Sequence, residues 1–170
     1  AEFILHCASH PEGGRPWRLV VNGDLLDFDH QAGSIAERGS EEDAVELFHG
    51  IEAASRDTFV AFARFLDAGH DIVVIPGNHD RDLMWPRVRQ AFADAVRVHV
   101  VEPSSLARLI FRDWFYYEKD RIYIEHGHQY EPDTGLVGML DPFEKGPRLR
   151  RDLATWWIAD FCPNIPELAY

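Results

Sequence analysis

The apolar positions of this chain change period several times, and each change marks an element. Across residues 40–68 they recur at Ala44, Leu47, Phe48, Ile51, Phe59, Phe62 and Leu66, the three-and-four spacing of one helix face. Ser40 with Asp43 resembles a capping box at the start. Gly69 suits the left-handed position that closes the end, so one long helix is expected. Arg18–Asn22 and Asp71–Ile75 are short β-rich runs with turn residues behind them, and read as buried strands. Residues 86–95 read as a short helix and residues 96–101 as a third strand. Residues 109–117 and 121–125 read as a hairpin around Lys119-Asp120. Residues 1–9 read as the end of a helix, broken at Pro11-Glu12-Gly13-Gly14. Residues 27–39 are polar and loop-like. The order β-α-β-α-β-β-β predicts an α/β fold of mixed sheets flanked by helices.

The last part differs in character. Leu149, Leu153, Trp156, Trp157 and Phe161 fall on one face of an amphipathic helix over residues 148–161, followed by a Pro-interrupted tail. This predicts a helical insertion or cap at residues 136–170, set against a core at residues 1–135. The Trp156, Trp157 and Phe161 face reads as core or oligomer contact ahead of a lipid groove. Arg148-Leu149-Arg150-Arg151 reads as a solvated helix face.

Composition narrows the partners. The chain has 170 residues, 46% hydrophobic, enough for a core of its own. Its formal net charge of -12 argues against a nucleic-acid surface, which needs a basic stripe. It does not argue against a phosphate substrate, because bound divalent cations reverse the local sign. Cys7 and Cys162 stand far apart in no metal or redox spacing, so a reducing, cytoplasmic setting is expected. There is no apolar run of membrane-spanning length and no basic-then-apolar leader. The first residue is Ala1 rather than Met, so the gene product is expected to start upstream.

Three peptides carry candidate chemistry: Gly23-Asp24-Leu25-Leu26-Asp27, Gly77-Asn78-His79-Asp80 and His126-Gly127-His128. Each follows an apolar run read as a strand. A carboxylate, an amide oxygen and an imidazole arriving together at strand ends can hold a hard or borderline divalent metal. Asp24, Asn78 and His126 are therefore the candidate metal ligands. Asp80 reads as structural, fixing its loop through backbone N–H groups. His128 is divided between a contact supporting the ligands and a plain loop residue. The remaining histidines read as ordinary surface or core residues.

In order and spacing these peptides resemble the second, third and fourth motifs of the calcineurin-like metallophosphoesterase superfamily, over residues 18–133. The resemblance implies a metallophosphoesterase-like fold and two divalent cations, Mn²⁺ or an Fe/Zn pair. It implies that Asp24 bridges both cations, and that Asn78 and His126 bind the second. By the same resemblance His79 faces the phosphate and protonates the leaving oxygen, with Asp27 orienting it. The reaction implied is hydrolysis of a phosphoric ester or anhydride by metal-activated water.

The family's Asp-x-His precedes Gly23 in no form, and its late Gly-His-x-His is approached only by Gly127-His128-Gln129-Tyr130. The core is thus expected to be incomplete at both ends, with the missing motifs outside these residues. The alternative is a non-catalytic binding or scaffold protein on the same fold. Phe28 and Asp80 stand where phosphoprotein phosphatases of the superfamily carry Arg and Glu. Gly-Asp-x-x-Asp-Phe and His126-Gly127-His128-Gln129-Tyr130 instead resemble bacterial phosphoesterases, among them UDP-2,3-diacylglucosamine pyrophosphohydrolase relatives. That branch implies a phosphorylated small-molecule or lipid substrate, a lipid-linked pyrophosphate as one alternative, and a site compatible with peripheral membrane contact. Oligomeric state is left open.

Overall fold

The computed structural model describes residues 1–29, 39–135, 141–144 and 148–165. The fold mixes helix and strand, as the α/β expectation has it. Its centre is a three-stranded parallel sheet of β1 (Arg18–Asn22), β2 (Asp71–Ile75) and β3 (Leu109–Phe111), in that order. Every residue of β2 from Ile72 onward is buried, because both faces of the sheet are covered. Ile72 and Val74 face the helices and share a core with Phe48, Phe59, Phe62, Phe92 and Val96. Val73 and Ile75 face the other way, against Tyr116 and Ile124. Those two residues belong to a hairpin of β4 (Phe115–Glu118) and β5 (Ile122–Glu125). A period-two strand buried on both faces reads as the unbroken apolar run seen in the sequence.

The helical layer is α2 (Glu41–Ala54), α3 (Arg56–Asp67) and α4 (Pro86–Arg97), with α1 (Glu2–Ser9) packed against α3. Three of the predicted elements are corrected. The single helix over residues 40–68 is two helices, because the chain leaves helical geometry at Ser55 (φ -113°, ψ 20°). Both halves keep their apolar stripe on the same core, so the periodicity does not register the break. Residues 96–101 are not a strand. Val96 is the last buried residue of α4, and Val98 and Val101 are exposed in the turn that follows. The run is β-branched in composition, but its first valine completes a helical face. Residues 109–117 are likewise two strands, β3 in the parallel sheet and β4 in the hairpin.

The C-terminal stretch is corrected too. Leu149 is not helical but forms a β-bridge with Phe143 and lies in the main core. The helix α5 begins only at Leu153 (Leu153–Trp156) and runs into one π turn, Trp157–Phe161. Trp156 and Trp157 are 48% and 46% exposed, so they are not core residues. Of the predicted loop at residues 27–39 and the cap at residues 136–170, residues 30–38, 136–140, 145–147 and 166–170 lie outside the described residues. Among the described residues no helix is long and apolar enough to cross a membrane.

Candidate metal centre

Strand register sets the site. Asn22 at the end of β1 pairs with Ile75 at the end of β2, and the strands are parallel. The loops that follow therefore leave the same sheet edge side by side, the usual crevice of a parallel sheet. Asn22 also draws in the hairpin, donating from its amide to the Glu125 carbonyl at 3.0 Å. His126 follows β5 directly, and its Nδ1 meets the Asn22 carbonyl at 2.8 Å.

That last contact fixes the tautomer of the neutral ring. A carbonyl only accepts, so Nδ1 carries the proton and Nε2 presents its lone pair. Nε2 stands 3.2 Å from Asp24 Oδ2 and 3.3 Å from Asn78 Oδ1. The three residues named as candidate ligands thus converge on one point, each with an electron-pair donor. Three acceptors so placed repel one another unless a proton or a cation lies between them. The donor set suits a divalent metal: one carboxylate, one amide oxygen and one neutral imidazole. Among the described residues no three His, Cys, Asp or Glu side chains form a ready cage, and this cluster reaches three donors only by counting the amide.

The backbone is shaped to the same end. Asp24 has φ +53°, a left-handed conformation that costs a non-glycine residue energy. Its Oδ1 accepts from the His79 N–H at 3.1 Å. A Cβ on Gly77 would overlap the Asp24 carboxylate, and one on Gly23 would overlap the His126 ring. Asp80 locks the two loops together, as its structural reading expects. Its carboxylate accepts from Gly77 N at 2.5 Å, Leu25 N at 2.8 Å and Leu26 N at 3.4 Å. Burial pushes the Asp80 carboxyl up, against the pull of those N–H groups.

His79 lies beside two carboxylates. Nδ1 is 3.4 Å from Asp27 Oδ1 and 3.8 Å from Asp29 Oδ2. The Asp27 side chain is 49% exposed, but Asp29 is buried, and burial pushes its carboxyl up to about 6. Asp29 is bonded by the Thr155 hydroxyl at 3.2 Å. Sequence reasoning misses Asp29, which falls in a polar, loop-like stretch.

Two buried ion pairs escape the sequence pattern. Arg81, fully buried, pairs with Asp152 at 2.5 Å, and Arg151 grips the buried Asp82 at 2.6 and 2.7 Å. The stretch expected as a solvated Arg148-Leu149-Arg150-Arg151 face is therefore extended chain that sends Arg151 inward. His128 is 6% exposed, yet neither ring nitrogen has a hydrogen-bond partner among the described residues. Burial first, then the neighbouring Arg81 and His126, hold its imidazole down at about 4, neutral in ordinary buffers.

Comparison with family models, with curated proteins and with solved structures finds no match for this chain.

Proposed function

We propose that this chain is the core of a metallophosphoesterase-like hydrolase that cleaves a phosphoric ester or anhydride. The observation that carries the reading is the convergence of His126 Nε2 with Asp24 Oδ2 and Asn78 Oδ1 at 3.2 and 3.3 Å. The order of the three motifs adds to it.

Asp24, Asn78 and His126 would hold a divalent cation, Mn²⁺ or one of an Fe/Zn pair, and Asp24 has a second oxygen for a further cation. The chemistry supplied by a bound ion is neutralisation of phosphoryl charge and acidification of the attacking water. The chain's own groups do the rest. Asp27 and Asp29 hold the His79 ring by Nδ1, and Nε2 delivers a proton to the leaving oxygen. Asp80 keeps the Asp24 and Asn78 loops in register while charge develops. Gly23 and Gly77 let the two loops and His126 close to contact distance.

The test is metal content together with turnover of bis(p-nitrophenyl) phosphate in Mn²⁺. Asp24→Ala should lose bound metal and turnover together. His79→Ala should keep the metal and lose roughly 10²–10⁴ in turnover, the usual range for a general acid. Full turnover in the His79 variant would remove the acid role. No metal uptake by the wild type would favour a binding or scaffold protein on this fold. Dependence of turnover on detergent or lipid would favour a lipid-linked pyrophosphate over a soluble ester.

A further inference from the structure

The contacts beside His79 close into a circuit that leaves its segment and returns to it. Arg81, just beyond His79 in the chain, is buried, and its guanidinium meets Asp152 Oδ2 at 2.5 Å. Asp152 turns its other oxygen, Oδ1, to the Thr155 N–H at 2.6 Å and so caps α5. The Thr155 hydroxyl donates to Asp29 Oδ2 at 3.2 Å. That same Oδ2 stands 3.8 Å from His79 Nδ1. The Phe28 N–H bonds the His79 carbonyl at 3.2 Å and holds the two loops side by side.

Packing alone would not select a threonine here. Thr155 is fully buried, and valine has the same shape with no hydroxyl to desolvate. The hydroxyl has a use because Asp29 is buried too, so protein groups rather than solvent orient its carboxylate. At 3.8 Å the contact of Asp29 with Nδ1 is electrostatic rather than a hydrogen bond, and its strength depends on where Oδ2 points. A hydroxyl held against that one oxygen selects one torsion of the Asp29 side chain. Asp27, at 3.4 Å from Nδ1, is 49% exposed. A solvated carboxylate keeps rotamer freedom that a sealed one has lost, so Asp29 is the firmer reference for the ring.

We propose that Thr155 is a positioning residue for His79, acting through Asp29 Oδ2. The C-terminal stretch then belongs to the working site, at one remove from the reacting atoms. The hydroxyl sets the Asp29 carboxylate, the carboxylate sets the rotation of the imidazole, and the ring aims Nε2 at the leaving oxygen. A ring turned slightly away loses rate without losing substrate, so the effect falls on kcat rather than KM. The inference rests on the reading that His79 is the general acid of a phosphoesterase, and the experiment separates the two.

Turnover of bis(p-nitrophenyl) phosphate in Mn²⁺ is measured for Thr155→Val, Thr155→Ser, His79→Ala and the combined Thr155→Val/His79→Ala chain. Thr155→Val should lower kcat about tenfold with KM within about twofold, and Thr155→Ser, which keeps the hydroxyl, should restore it. In the His79→Ala background Thr155→Val should change kcat by less than about twofold, because no ring is left to aim. A general loosening of the fold would lower both backgrounds alike. In the metal-free chain, the ¹H–¹³C resonances of the His79 ring should shift or broaden in Thr155→Val and match the wild type in Thr155→Ser. Should Thr155→Val fail to fold, Asp29→Ala carries the same cycle from the other side of the contact. Full kcat in either variant, an unmoved His79 ring, or an equal loss with and without His79 overturns the positioning role and leaves the phosphoesterase reading standing. A wild type without turnover, or one whose turnover survives His79→Ala, removes the acid reading and this inference with it.

Discussion

At the scale of single residues, the site is a problem of closeness. Gly77 has ordinary backbone angles, so its lack of a side chain serves space rather than conformation. Gly77→Ala should push the Asp24 carboxylate aside and weaken Mn²⁺ binding at least tenfold, with the far-ultraviolet circular dichroism unchanged. Normal affinity in that variant would mean that Asp24 can relax without loss, and that its left-handed backbone is not tuned to the site. That Asp24, Asn78 and His126 come together is legible in the sequence, because each follows a strand end. The burial of His128 and Asp29 is not so legible, because it comes from neighbours distant in the chain. Nothing in Asp27-Phe28-Asp29 says which carboxylate is exposed and which is sealed beneath Thr155.

At the scale of elements, local chemistry is readable where it is self-contained. The capping box before α2 is formed in full: Ser40 Oγ accepts from the Asp43 N–H, and Asp43 accepts from the Ser40 N–H at 3.0 Å. Ser40→Ala should cost about 1 kcal/mol in urea unfolding while leaving metal affinity as it was. A change in metal affinity would show that α2 braces the site more directly than its packing suggests. The buried β2 run is equally plain. The elements that escape are those whose identity depends on partners. Val96 is helical because it fills the core beneath α4, a matter of packing that overrides β-branched composition. The break at Ser55 leaves no mark in the apolar stripe, because α2 and α3 bury their faces in the same cluster of Phe48, Phe59 and Phe92.

At the scale of the molecule, the C-terminal stretch is bound to the site loops by charge. Arg81 reaches Asp152 across 71 residues of sequence and Asp82 is held by Arg151 across 69, distances over which no sequence pattern announces a pair. Asp152 also caps α5 by accepting from the Thr155 N–H at 2.6 Å. Asp152→Ala leaves a buried guanidinium without its counter-charge and should cost about 3–5 kcal/mol, measured by chemical denaturation. Thr155 carries the connection one step further, to Asp29 and so to His79. The pH dependence of stability tests how dry that connection is. The Asp29 carboxyl has an ordinary value of 3.8 and a folded value of about 6. Between those values the folded chain holds a proton that the unfolded chain has lost, so this group's contribution to stability falls as pH rises, then levels off above about 6. Asp29→Asn removes the titration. Relative to the wild type, the variant should therefore gain about 2 kcal/mol in unfolding free energy between about pH 4.5 and 7.5. Most of that gain belongs below about pH 6.5. A difference that stayed flat would mean that Arg151 compensates the Asp29 charge across the whole range. A difference of opposite sign would mean that Asp29 is held ionised, and the carboxylate beneath His79 would then be a fixed charge rather than a buried acid.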